Sequence, residues 1–124
     1  MKKVIATENA PKAVGPYSQA IEVNGTLYIS GQIPVNPADG QVQTEITAAA
    51  HQSLKNIGAI LAEAGMTYDN VVKTTVLLAD IADFKAVNEV YAAYFTGDKP
   101  AGACYQAAAL PLGVKVEIEA IAVK

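Results

Sequence analysis

The sequence contains no arginine: all nine of its cationic side chains are lysines. A guanidinium fork, the usual bidentate partner of carboxylates and phosphates, is therefore missing from the whole chain. There is one cysteine, Cys104, so no internal disulfide can form. There is one histidine, His51, and no grouping of His, Cys, Asp and Glu has metal-ligand spacing. Lysines are scattered rather than clustered and the net charge is −3, which argues against nucleic acid as a partner, since phosphate binding needs concentrated positive charge. The start, MKKVIATENAP, has a charged end but no apolar stretch of signal-peptide length. The expectation is a cytoplasmic protein with no membrane partner.

At 124 residues the chain has the length of a single domain, residues 1–124, and is large enough to bury about two thirds of the surface its unfolded form exposes. The apolar fraction of 52% is inflated by 23 alanines, so the core must come from Val, Ile and Leu runs with a few Tyr and Phe. KKVIAT reads as a short β-prone start, and ENAPKAVGPYSQ as a long loop, a length that usually has a job. Asn24-Gly25 sits between two strand-prone runs, a strong signal for a β-hairpin spanning Ser18 to Gln32. From Glu45 the residues Ile46, Ala50, Leu54, Ile57, Leu61 and Ala64 recur every three or four positions, the stripe of an amphipathic helix that Gly65 ends.

NVVKTTVLLAD follows as a strand. A second helix starts near Asp80 or Asp83, with Phe84, Val87, Tyr91 and Tyr94 as its stripe and Gly97 as its stop. GACYQAAAL and VKVEIEAIAV read as two further strands separated by the turn PLG. The order β-β-β-α-β-α-β-β implies an α+β layer pair, one mixed sheet with both helices on one face. The other face carries alanines and valines, and in so small a chain it is most readily buried against sister subunits of a cyclic homo-oligomer.

Alternation along the last strand places Lys115, Glu117, Glu119, Ile121 and Val123 on one face. Glu119 lies there between a polar end and an apolar one, where partial desolvation would raise its pKa and suit acid/base work; a solvated or lysine-paired glutamate is the competing reading. Cys104 shares a strand face with Gly102 and Gln106, but His51 has no recognisable spacing to it, so the thiol reads as a small buried apolar residue rather than a nucleophile. SGQIP, Ser30 to Pro34, breaks a strand end with Gly31, which either lets backbone N–H groups approach a ligand or marks a simple strand exit. Tyr17 on the long loop either covers a pocket or anchors the loop.

ATENAPKAVGPYSQAI, YISGQIPVNPADG, VVKTTVLLADIADFKAVNEVYAAYF and LPLGVKVEIEAIAVK, occurring in this order, together resemble the Rid family of reactive intermediate deaminases in its RidA subgroup, essentially end to end. The resemblance implies a chorismate-mutase-like fold assembled as a homotrimer with pockets at the subunit interfaces. It also implies hydrolysis of 2-imino acids and their enamine tautomers, such as 2-aminoacrylate and 2-iminobutanoate, to 2-keto acids and ammonia, with no metal or cofactor. Carried over, Tyr17 would close the pocket, Ser30 and Gly31 would line it, and Asn88 would be a nearby helix position. Glu119 would orient the attacking water or shuttle its proton, and Cys104 would contribute mostly through its backbone.

The departure from the pattern lies two residues before the cysteine. Active members carry PAR, a small residue and then Cys, whereas this chain reads PAGAC, and Gly102 offers no charge where the family's arginine grips the substrate carboxylate. Ala107 is also smaller than the valine expected there. Two readings stay open: a deaminase impaired on carboxylate-bearing substrates, in which a lysine from elsewhere substitutes weakly, or a non-catalytic trimeric ligand-binding scaffold with a widened interface pocket.

Overall fold

The protein is described by a computed structural model covering residues 1–124. Its strands are β1 (Lys3–Ile5), β2 (Ala20–Val23), β3 (Thr26–Gln32), β4 (Val71–Leu78), β5 (Ala101–Gln106) and β6 (Val116–Val123); its helices are α1 (Ile46–Glu63) and α2 (Phe84–Tyr94). All six strands form one mixed sheet in the order β1-β2-β3-β6-β4-β5. β6 runs antiparallel to both β3 and β4, whereas β5 runs parallel to β4, which it reaches through α2. The expected α+β arrangement is therefore present, but the last two strands are not neighbours: β4 lies between them.

Local chemistry accounts for the elements. Asn24 and Gly25, with φ of 51° and 80°, make the tight turn that closes β2 onto β3. Glu45 caps α1 by accepting from the Thr47 and Ala48 amides at 2.9 and 3.1 Å, and the bonds that hold down this carboxylate's charge also keep its pKa below the ordinary value. At the other end the Gly65 amide donates to Ala62 and the Met66 amide to Leu61, the paired bonds of a Schellman stop.

One face of the sheet and the two helices enclose a single core in which Leu27, Ile29, Leu54, Ile57, Leu61, Val76, Leu78, Val87 and Ile118 are buried. The α2 stripe differs from expectation. Val87 and Val90 are its buried residues, while Phe84 is largely exposed and Tyr91 and Tyr94 lie at the margin of the core. The cause is a one-turn 3-10 segment, Ile81–Asp83, capped by Asp80, which precedes α2 and sets its rotation; Asp83 makes no side-chain cap. The helix ends at Tyr94, three residues before Gly97.

The opposite face has no covering element. Tyr28, Thr75, Leu77, Glu117, Glu119, Ile121 and Val123 stand on it, partly or fully exposed. No helix is long and apolar enough to cross a membrane.

Candidate functional site

The long loop before β2 is pinned by one buried side chain. Gln19 donates through Nε2 to the carbonyls of Thr7, Ala10 and Pro11 at 3.0, 3.2 and 2.8 Å, and its Oε1 accepts from the Thr7 amide at 2.7 Å. Ser30 ties the same segment to β3: its hydroxyl donates to the Ser18 carbonyl at 2.6 Å and its amide to the Gln19 carbonyl at 2.9 Å. Tyr17 is thereby carried to the rim of the open sheet face. It remains about half exposed, with its hydroxyl accepting a long bond of 3.4 Å from the Val14 amide.

Tyr17, Ser30, Lys73, Thr75, Glu119 and Ile121 line a cavity of about 540 Å³ on that face. Beside it the register of β3 against β6 shifts between Ile29 and Gln32, the irregularity that SGQIP signals. The shift brings Gly31 under a carboxylate, which belongs to Glu117 and not to Glu119. A Cβ at Gly31 would stand 2.8 Å from Glu117 Cδ and overlap its Oε2, so any side chain there would push this carboxylate aside. Burial raises the pKa of Glu117, and the negative charge of Glu119 on the same strand face raises it further. Glu119 itself is exposed to the cavity.

Gly102 and Cys104 lie elsewhere. Their pairing with Thr74 and Val76 of β4 sets them on the helix side of the sheet, where Cys104 packs against the core and burial raises its thiol pKa, favouring the neutral form. His51 gives it no base, because that imidazole lies on α1 with Nδ1 2.9 Å from the Tyr94 hydroxyl. Asn88 is exposed on α2, one turn before Tyr91, whose hydroxyl meets Thr74 Oγ1 at 2.8 Å. Thr74 is the partner of Gly102, so Gly102 and Cys104 lie together on β5, an edge strand with backbone groups free of the ladder, while Asn88 stands on the helix of the same side of the sheet. Ala107 follows β5, its amide donating to the Leu78 carbonyl at 2.9 Å.

The sequence-derived residues thus fall into two groups on opposite faces of the sheet. Tyr17, Ser30, Gly31 and Glu119 form the first, joined by Glu117 and Lys73; Gly102, Cys104 and Asn88 form the second. Within one copy of the chain they do not meet. No group of three or more His, Cys, Asp and Glu side chains is arranged to hold a metal ion. What the first group can do chemically is carry a proton, through a carboxylate of raised pKa, and offer hydroxyl and backbone hydrogen bonds beside it.

A family model described as endoribonuclease L-PSP matches residues 7–124. The chain is 58% identical to a mouse 2-iminobutanoate/2-iminopropanoate deaminase, over the whole of this chain and 93% of that protein. It is 50% identical to the protein of the same name from Escherichia coli strain K12, over the whole of this chain and 99% of the other. A solved structure of a conserved Rid protein from Yersinia pestis superposes with a TM-score of 0.97 at 50% identity, with full coverage of both chains.

Proposed function

The chain belongs to the Rid family, and from that premise we propose that it hydrolyses 2-iminobutanoate, 2-iminopropanoate and their enamine tautomers to 2-keto acids and ammonia. The observation that carries the reading is the half-buried carboxylate of Glu117, held against Gly31, the residue after cavity-lining Ser30, and on the same strand face as Glu119, which lines the cavity. Its raised pKa brings it nearer to neutrality, where one group can both take and return a proton.

The reaction needs little more. The substrate reacts as its protonated iminium: as water adds to the C=N carbon, Glu117 takes one proton from the water and the iminium nitrogen, keeping its hydrogens, becomes the amine of the carbinolamine. Glu117 then gives that proton to this nitrogen, and as the C–N bond breaks the carbinolamine hydroxyl passes its own proton to Glu117, which leaves the keto acid and ammonia; the ammonia carries the last proton away as ammonium. Glu119, carried over from the resemblance, lines the cavity and acts in this reading chiefly by its charge, which keeps the Glu117 pKa high. Cofactors and metals take no part in it. Tyr17 covers the bound imino acid, and Cys104, neutral and unpaired with a base, supplies backbone contacts.

The working unit is a homotrimer. Stacking copies through their uncovered sheet faces would bury the apolar residues there and bring the β5 edge of one copy, with Asn88, Gly102 and Cys104, to the Tyr17 cavity of the next. Gly102 makes the enzyme weak on its natural class of substrate, since no guanidinium meets the carboxylate, and that same glycine favours the alternative of a ligand-binding trimer without turnover.

Ammonia release from freshly generated 2-iminobutanoate, measured against buffer and against Glu117→Gln, tests the reading. Native protein should accelerate release, and the variant should lose about 10²-fold or more of that acceleration. A native protein no faster than buffer leaves the non-catalytic trimer as the better description.

A further inference from the structure

We infer that Lys73 takes the place of the missing arginine and binds the substrate carboxylate. The inference rests on the deaminase reading above and adds to it the residue that recognises the acid group. Without arginine, the side-chain cations left to meet an anionic ligand are the lysines and His51, and His51 lies on α1 against Tyr94, away from this cavity. Of the nine lysines, two line the Tyr17 cavity, Lys2 and Lys73. Lys2 precedes β1 and is held by no ladder. Lys73 sits inside β4, its backbone paired with Ala101 on one side and Ile121 on the other, so the base of its side chain is held in place by two neighbouring strands.

Its ammonium is also uncommitted. The single ion pair of the molecule joins Lys124 to Glu22 at 3.2 Å, and no carboxylate lies within 4.0 Å of Lys73. Glu119, opposite Thr75 one step along the same pair of strands, supplies the opposing sign. It repels a carboxylate from its own side of the cavity, which leaves Lys73 as the anion's place and turns the imine end towards Ser30 and Gly31. An ammonium is a point charge and not a fork, so this grip gives attraction with little orientation. It should therefore govern binding more than the rate of the bound complex.

The stable product 2-ketobutanoate serves as probe, with 2-butanone as the neutral counterpart, each titrated into the protein by calorimetry. Native protein should bind the keto acid, Lys73→Met should bind it at least 10-fold more weakly, and Lys73→Arg should retain it. Binding of 2-butanone should be the same in all three. In the ammonia assay Lys73→Met should raise KM with a smaller change in kcat. The side chain is exposed, and matching melting temperatures and oligomeric mass would show that the variants fold. Equal keto-acid affinity in native and Lys73→Met protein, a loss produced instead by Lys2→Met, or no binding by native protein overturns the assignment. Lys73-dependent binding without ammonia release would sink the deaminase reading and leave Lys73 in place.

Discussion

Two positions carry most of the functional argument at the scale of single residues. Arginine at 102 should raise kcat/KM on 2-iminobutanoate by roughly 10²-fold, because a bidentate charge-assisted pair is worth several kcal/mol and each ~1.4 kcal/mol is a factor of ten in rate. A neutral imine should gain little. The new Cβ would meet Thr74 Oγ1 at 3.1 Å and its carbonyl oxygen at 3.3 Å, so the gain comes with a loss of about 1 kcal/mol in stability, readable as a lower melting temperature. If the arginine variant is no faster, Gly102 is not the defect. For Glu117, folding raises the pKa above 4.5, so the native state holds the proton more tightly than the unfolded one. Its contribution to stability is full below pH 4.5 and is lost as pH rises through the folded pKa. Glu117→Gln should therefore be more stable than native protein at pH 7, with the advantage gone at pH 4, by urea unfolding at both. That two carboxylates face one way was legible from alternation. Which of them meets Gly31 was not, because a one-residue shift in β3 decides it and no periodicity encodes that shift.

The helices and the hairpin were the most legible elements, because α1 repeats its apolar residues over five turns and Asn24-Gly25 tolerates two positive φ angles in succession. α2 was less so, since its rotation is set by the 3-10 turn at Ile81 and by the bond between Tyr91 and Thr74, neither of which has a periodic signature. The long loop was recognised by composition, but not the residue that organises it. Gln19 is buried and spends its amide on three carbonyls and one N–H. Gln19→Ala should cost about 2 kcal/mol, through polar groups left without partners. Because Tyr17 follows this loop, the variant should also lose ligand affinity before it loses its fold. Proteolysis of the Thr7–Val14 segment under native conditions, compared with unfolding by urea, would separate the two effects.

For the molecule as a whole, the decisive feature is the uncovered face. Its apolar members, Tyr28, Leu77, Ile121 and Val123, are the ones a monomer would leave in water. Sedimentation should give three times the chain mass, and Leu77→Asp should shift the mass to that of one chain while abolishing any deaminase activity. A native monomer independent of concentration would remove the interface pockets and the shared site with them. The uncovered face itself was readable in the sequence as a sheet with helices on one side only; the order of the strands was not, since nothing local says that β6 inserts between β3 and β4.

That insertion bears on how the protein is made. β3 and β4 have no ladder to each other; each pairs with β6, which is the last of the strands to be synthesised. Until residues 116–123 have emerged from the ribosome, the nascent chain holds a β1–β3 meander and a β4–α2–β5 unit, each presenting an open edge to other chains. Closure of the sheet thus waits for the last of its strands, and the interval before it is when the protein is most exposed to aggregation.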